Sequence, residues 1–132
     1  MAGLAMVTLV VAAYDEAIAF YCGRLGFSLI EDTDLGGGKR WVVVAPEGGR
    51  GARLLLAEAR RGEQQAAIGR QAGGRVGFFL ETDDFARDFA AFTAAGVKFL
   101  EAPRREDYGT VAVFEDFYGN KWDLIEPGPR RA

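Results

Sequence analysis

Strand-like and helix-like hydrophobic patterns follow one another in a fixed order along the first half of the chain. Residues 6–11, MVTLVV, form a continuous apolar run with the length of one buried strand. Residues 14–27 then place apolar side chains at helical spacing; they are Ile18, Tyr21, Cys22 and Leu25. Asp15 can cap the start of this helix and Gly26 can end it. The chain is therefore predicted to open with a strand and a helix.

Three further strands are predicted in the first half. FSLIE at residues 27–31 has a strand pattern, and the turn-rich DTDLGGG at residues 32–38 predicts a hairpin turn after it. KRWVVVAP at residues 39–46 and ARLLLAEA at residues 52–59 are the next two strands. The predicted order of the first half is β-α-β-β-β.

The second half repeats this order. GFFLET at residues 77–82 predicts a strand, and residues 83–96 predict a helix that ends at Gly96. Three phenylalanines share one face of that helix: Phe85, Phe89 and Phe92. VKFLEAP, GTVAVFED and KWDLIEP then predict three strands, the last two joined by FYGN. The repeat is one of pattern, because the identity between the halves is low.

The order predicts one domain over residues 1–132, built from pseudo-repeats 4–59 and 75–127. Residues 60–74 are polar and small, and form the predicted linker with a helical turn around residues 64–68. A βαβββ unit is too small to bury both faces of its sheet. We therefore predict an α+β fold in which two such modules form a curved mixed sheet around a cleft, with the helices outside.

Composition and charge narrow the function classes. The chain has 132 residues, is 49% hydrophobic and carries a net charge of −3, without the clustered basic face that nucleic acids require. Cys22 is the single cysteine, which excludes an intramolecular disulfide and suits a reducing cytoplasm. The apolar start lacks the early positive charge of a signal peptide, since Arg24 is the first basic residue. No apolar run is long enough to span a membrane.

Three stretches carry a resemblance to a known family. They are VTLVVAAYDEAIAFYCGRLGF, GFFLETDDF and VFEDFYGNKWDLIEP. Together with the duplicated βαβββ order, they resemble the vicinal oxygen chelate superfamily, which includes glyoxalase I, extradiol dioxygenases, and fosfomycin and bleomycin resistance proteins. The last stretch is similar to the family pattern F-x-D-P-x-G-N-x-x-x-L, with Phe117 where proline is usual. The resemblance spans residues 6–127.

The resemblance also implies where metal ligands would lie. The first histidine of metal-dependent members falls on Met6, and the histidine that opens the second module falls on Gly77. A glutamate of the first module falls on Leu54 or Leu56, and the terminal glutamate falls on Asp123. At most one ligand type is therefore retained, with a side chain one carbon shorter.

These residues predict neither a metal site nor another cofactor. The sequence contains no histidine, and Met6 offers only a soft thioether. Glu81 shares a strand face with Gly77 but lies roughly 13 Å from it along the strand, too far to replace a ligand there. Asp123 is thus predicted to be a lone carboxylate rather than part of a metal site.

Period-2 alternation predicts a ligand-binding cleft in place of the metal site. Its predicted lining is Met6, Thr8, Trp41, Gly77, Phe79, Glu81, Tyr108 and Asp123. Such a set suits a flat or amphipathic ligand with a donor or positive group. Structural alternatives stand beside these roles: Trp41 as a core residue, and Asp123 paired across strands with Lys121, Arg40 or Arg53. Phe78, which faces away from Phe79, is predicted to lie in the core.

Three functional hypotheses follow. The first is a metal-independent protein that sequesters an aromatic or cationic small molecule, as the resemblance to bleomycin resistance proteins implies, and that has no catalytic residue. The second is a glyoxalase-like lyase or another enzyme that acts on an unknown substrate and uses Asp123 or Glu81 as a general base, or an atypical metal site. The third is a structural or regulatory dimer. The resemblance implies a homodimer in each case, with linker 60–74 able to permit exchange of modules.

Overall fold

A computed structural model describes residues 1–48 and 50–129, and the chain divides into two compact units. The first unit spans Met1–Gln71 and the second begins at Ala72. Each unit contains one mixed β-sheet with short helices, so the predicted α+β fold with two modules is confirmed. None of the helices in the described residues is long and apolar enough to cross a membrane.

The first unit contains a four-stranded sheet. Its elements are β1 (Met6–Val11), α1 (Tyr14–Ile18), a π-helical segment (Ala19–Arg24), β2 (Ser28–Gly36), β3 (Lys39–Ala45), β4 (Arg53–Glu58) and α2 (Gly62–Ala67). The strand order is β1-β4-β3-β2, with β1 parallel to β4 and the other pairs antiparallel. The order places β1 and β2 at the two edges of the sheet.

The two faces of the first sheet have different environments. Leu9, Val42 and Leu56 are fully buried, and α1 contacts β3 and β4. We call this the covered face of the first sheet. Because side chains alternate along a strand, Thr8 and its β4 partner Leu55 lie on the opposite face, which we call the open face.

The first helix differs from its predicted form. Its cap is the backbone of Ala13, whereas Asp15 lies inside α1 and caps nothing. After Ile18 the helix continues with π-helical hydrogen bonding, which the apolar spacing did not indicate. It does end at Gly26, whose φ of 72° favours glycine. Strand β2 also extends to Gly36, so the turn is tighter than predicted and only the glycine run forms it.

The second unit contains a five-stranded sheet. Its elements are β5 (Val76–Glu81), α3 (Phe85–Ala94), β6 (Lys98–Phe99), β7 (Arg104–Glu106), β8 (Gly109–Glu115) and β9 (Lys121–Pro127). The order is β5-β9-β8-β6, and β7 also pairs with β8. The strand predicted over VKFLEAP is therefore only two residues long, and the short β7 strand was not predicted.

Helix α3 covers one face of the second sheet with aromatic side chains. Asp84 caps its start by accepting a hydrogen bond from the Arg87 N–H at 3.0 Å. The Phe92 ring meets Phe114 with centroids 5.7 Å apart, and Trp122 lies in the same buried layer. Phe78 stacks on Trp122 at 4.7 Å, as expected for a core residue.

Candidate functional site

The open face of the first sheet brings together residues from three strands. Thr8 lies opposite Leu55, and Val10 lies opposite Ala57. On β3, Trp41 comes two residues before Val43, which pairs with Leu55, so Trp41 points to the same face. Two predicted site residues, Thr8 and Trp41, thus share one surface although they are far apart in sequence.

The position expected for the lost glutamate needs correction. Leu54 and Leu56 are buried on the covered face, so neither could present a ligand on the side of Met6 and Thr8. The β4 residue on the open face is Leu55. A one-residue difference on a strand selects the opposite face.

A cavity of about 340 Å³ is lined by residues of this open face, together with Tyr14 and with three residues that alternation gives to the covered side, Arg40, Leu56 and Glu58. Segment 60–64, which leads into α2, contributes to its wall. The lining residues are Thr8, Val10, Tyr14, Lys39, Arg40, Trp41, Leu55, Leu56, Ala57, Glu58, Arg60 and Gln64. The volume and the mixture of apolar and polar residues suit a small organic ligand. Met6 lies on the same face but does not line the cavity.

Tyr14 and Arg40 form a fixed part of the cavity wall. Tyr14 is buried, and its phenolic oxygen accepts a hydrogen bond from the Arg40 N–H at 3.2 Å. The Arg40 guanidinium lies 5.2 Å from the centre of the Tyr14 ring and pairs with Asp15 at 2.8 Å and with Asp32 at 2.7 Å. The pKa of Asp32 is lowered by its hydrogen bonds from Arg40. These contacts hold Arg40 in place and compensate its charge.

Strand β1 is held at its outer edge by a side chain. The Gln71 amide donates to the Thr8 carbonyl at 2.5 Å and accepts from the Val10 N–H at 2.8 Å. These are the groups that a neighbouring strand would use. Gln71 therefore fixes the part of β1 that carries two cavity residues.

The face of the second sheet opposite α3, which we call its open face, carries the predicted carboxylate Asp123. Asp123 lies directly opposite Phe79 on β5 and Val113 on β8. Phe79 is 67% exposed. The Asp123 Oδ1 is buried and has no hydrogen-bond partner among the described residues. Burial raises the pKa of Asp123, the positive charge of Arg104 lowers it, and the negative charge of Glu101 adds to the rise.

Arg104 organises the polar groups of this face. Its Nε donates to Glu101 at 2.7 Å, and its Nη1 donates to Glu106 at 2.9 Å and to the Tyr108 hydroxyl at 3.3 Å. Tyr108 is otherwise exposed, so this contact gives it a defined position. Arg104 and Glu101 act electrostatically on Asp123. Neither was predicted for the site, because Glu101 lies near the end of the predicted strand VKFLEAP and Arg104 follows it in a stretch for which no element was predicted.

The other second-unit residues predicted for the site have different surroundings. A Cβ added at Gly77 would come within 2.9 Å of the Ala72 Cβ. This close approach explains why the position is a glycine. Glu81 is exposed and lies opposite Ile125, two residue positions from the Phe79–Asp123 pair. Glu126 accepts a hydrogen bond from the Phe85 N–H at 2.7 Å at the start of α3.

The residues at the family's ligand positions do not fit a metal ion. Leu54 and Leu56 point away from the open face, and Gly77 has no side chain. In the part of the chain that the structure describes, no group of three or more His, Cys, Asp or Glu side chains could hold a metal. Catalytic metal sites commonly use three protein ligands, and these positions do not supply them.

Several cavity residues were not predicted from the sequence. They are Tyr14, Lys39, Arg40, Leu55, Ala57, Glu58, Arg60 and Gln64. Alternation from Trp41 could have identified Lys39, two residues earlier on the same strand. Tyr14 and Arg60 lie outside the strands, so the period-2 alternation of strands does not mark them as facing a cavity.

Comparisons with known proteins place these features in context. The model of the Glyoxalase/Bleomycin resistance protein/Dioxygenase superfamily matches residues 3–124. An uncharacterized protein of Shewanella frigidimarina (strain NCIMB 400) is 57% identical over 121 residues, covering 91% of this chain and 90% of that protein.

Two solved structures are similar along nearly their whole length. UcmS2 is 30% identical, with a TM-score of 0.82, and the match covers 95% of this chain and 98% of that one. TnmS3, described as an antibiotic binding protein from Streptomyces sp. CB03234, is 28% identical with a TM-score of 0.77. That match covers 97% of this chain and 98% of TnmS3.

Proposed function

Because the chain belongs to the glyoxalase/bleomycin resistance protein/dioxygenase superfamily, we propose that it binds a small organic molecule without a metal ion and holds it without turnover. The observation that carries this proposal is the cavity of about 340 Å³ lined by residues of the open face of the first sheet. Its size falls within the range of small-molecule sites. Thr8 and Trp41, which alternation predicts for the cleft, both line it.

The chemistry of the lining supports a planar or amphipathic ligand. Trp41 is half-buried and faces the cavity, so its ring is available for stacking. Val10, Leu55 and Ala57 supply an apolar floor. The Thr8 hydroxyl can donate or accept one hydrogen bond. This arrangement orients a ligand but offers no nucleophile paired with a base.

Sequestration is the mode of action that the comparisons favour. TnmS3, described as an antibiotic binding protein, matches nearly the whole chain. A protein of this kind would act by binding one ligand molecule per site and holding it. The absence of three metal donors at the family positions supports capture over the metal-assisted chemistry of other members.

Calorimetry and recovery of the bound compound test this proposal together. A thermal-shift screen of small aromatic compounds should identify ligands that raise the melting temperature by mass action. Isothermal titration should then give saturable binding, and mass spectrometry should recover the compound unchanged after long incubation. Trp41→Ala should weaken binding, whereas Phe117→Ala, which removes an exposed aromatic outside the cavity, should not. Conversion of the compound would contradict capture without turnover.

Asp123 supports a second candidate function, which is general acid–base catalysis on the second sheet. Burial raises its pKa, and the buried Oδ1 has no partner in the described part of the chain. A carboxyl group with a raised pKa stays protonated to a higher pH than an ordinary aspartate does, which suits exchange of a proton with a ligand. Loss of turnover in Asp123→Asn with unchanged ligand affinity would identify this role.

The proposal extends to assembly and location. We propose that the protein is a homodimer in the cytoplasm. Each chain is then one domain, built from pseudo-repeats 4–59 and 75–127 with residues 60–74 as the linker. The family resemblance supports the dimer, and the single cysteine Cys22 suits a reducing compartment. Sedimentation equilibrium at micromolar concentration should give twice the chain mass of 14.3 kDa. A monomer at that concentration would exclude the dimer.

A further inference from the structure

The charged residues at the cavity of the first unit are unevenly compensated. Three basic residues and one acidic residue line it; they are Lys39, Arg40, Arg60 and Glu58. Arg40 is bound by Asp15 and Asp32, so its charge is already balanced inside the protein. Among the residues that the structure describes, Lys39 and Arg60 have no ion pair. Two uncompensated cations therefore face one carboxylate, which leaves a positive surplus.

The local structure places both cations at the cavity. Lys39 begins β3 and lies two residues before Trp41, so the two side chains share a strand face. Arg60 follows β4, and its N–H donates to the Gln64 side chain at 2.8 Å. That bond fixes the turn into α2 and keeps Arg60 next to Gln64 in the cavity wall.

We propose that this cavity selects an aromatic ligand with an acidic group, such as a carboxylate, whose ring lies against Trp41 and whose anionic group lies between Lys39 and Arg60. This inference rests on the proposed function and adds the charge of the ligand. A guanidinium offers two parallel donors to a carboxylate, and an ammonium adds a second positive charge.

The ligand charge that we propose for the first-unit cavity is opposite to the charge expected from Asp123 alone. That carboxylate favours a donor or cation, but it lies on the second sheet, whereas the first-unit cavity has a surplus of positive charge. Glu58 is the only acidic residue among the described residues that line the cavity. It lies at the end of β4, where alternation gives it the side of Leu54 and Leu56 rather than that of Trp41. Of the charged residues that line the cavity, Lys39 is therefore the one that alternation puts on the same strand face as Trp41.

Three probes of one shape separate charge from stacking. They are 2-naphthoate, 2-naphthamide and 2-(aminomethyl)naphthalene, which are negative, neutral and positive at pH 7. Binding is followed by quenching of Trp41 fluorescence, with a Trp41→Phe variant to identify the contribution of the buried Trp122. We expect 2-naphthoate to bind most tightly and the cationic probe most weakly, with the difference shrinking as salt is added.

Two variants and a matched control locate the charge. Lys39→Gln and Arg60→Gln should each weaken 2-naphthoate binding by roughly two- to five-fold, as for a partly exposed ion pair, and leave 2-naphthamide unchanged. Arg61→Gln removes the same charge from the neighbouring exposed residue and should change neither affinity.

The outcomes distinguish this inference from the proposed function. If the probes bind equally, or the cation binds best, the acidic-ligand preference is wrong while the cavity remains a binding site. If none quenches Trp41 at millimolar concentration, the cavity itself is not a site for aromatic ligands and both proposals fail. Equal losses in Arg61→Gln and Arg60→Gln would show a general charge effect and overturn the placement.

Discussion

Asp123 lies directly opposite Phe79 on the open face of the second sheet, and its buried Oδ1 accepts no hydrogen bond from the described residues. Burial raises the pKa of this carboxyl above the value of 3.8 expected for an aspartate in water. The folded protein thus binds the Asp123 proton more tightly than the unfolded chain does. Ionisation of this group destabilises the fold, and the cost is fully present above the folded-state pKa.

Asp123→Asn should therefore stabilise the protein in a pH-dependent way. At pH 7 the variant should melt at a higher temperature than the wild type, because it lacks the desolvated charge. The difference should shrink as the pH falls through the raised pKa towards 3.8. Calorimetry between pH 4 and pH 7 measures it, provided that both proteins unfold reversibly. A wild type that is more stable at every pH would show that the carboxylate makes a favourable interaction.

Arg104→Gln should raise the pKa of Asp123 further. Arg104 is the positive charge that favours the ionised carboxylate, and without it the negative charge of Glu101 acts unopposed. Titration of the carboxyl carbon by NMR measures the shift directly. Arg105→Gln is the matched control, since Arg105 is the next residue of β7 and is exposed. A fall in the Asp123 pKa in Arg104→Gln would contradict the electrostatic assignment.

Gln71→Ala should loosen the edge of β1. The variant loses two hydrogen bonds, to the Thr8 carbonyl and from the Val10 N–H, which should lower the free energy of unfolding by about 1 kcal/mol. Hydrogen exchange at the Val10 amide should accelerate more than at other amides of the strand. Gln65→Ala removes an exposed amide side chain from α2 and should leave the Val10 exchange rate unchanged.

Gly77→Ala should destabilise the second unit through a contact with Ala72. The added Cβ would lie 2.9 Å from the Ala72 Cβ, closer than two methyl groups can approach. We expect a loss of about 1–3 kcal/mol, which is typical of overpacking. The double variant Ala72→Gly/Gly77→Ala should recover much of the loss. If the double variant shows no recovery in chemical denaturation, the cause lies in the backbone of β5 and not in this contact.

Divalent metals should leave the thermal stability unchanged. The positions that carry ligands in metal-dependent relatives are Met6, Gly77 and Asp123, together with a strand β4 residue, and they offer only one hard donor group. Melting curves with added zinc, manganese or magnesium, and with EDTA, should coincide. Stoichiometric metal in elemental analysis of the purified protein would overturn the assignment of a metal-independent site.

The sequence by itself determined the architecture and its repeat. The order of strands and helices, the glycine at the end of the first helix and the aromatic face of α3 all follow from local rules, because side-chain period and helix termination depend on neighbouring residues. The same alternation put Phe78 and Phe79 on opposite faces, and Phe78, which was predicted for the core, stacks on Trp122. The absence of histidine, which argues against the family's usual ligand set, also needed only the sequence.

The tertiary structure decided which residues share a site. The choice of Leu55 over Leu54 or Leu56 for the open face depends on register with β1 and β3, which a single strand does not encode. Arg104 reaches Glu101, Glu106 and Tyr108 because a short strand, too brief for periodicity to reveal, pairs with β8. The balance of charge at the cavity likewise depends on tertiary contacts, because Asp15 and Asp32 neutralise Arg40. Contacts between distant segments carry this information, and local patterns cannot.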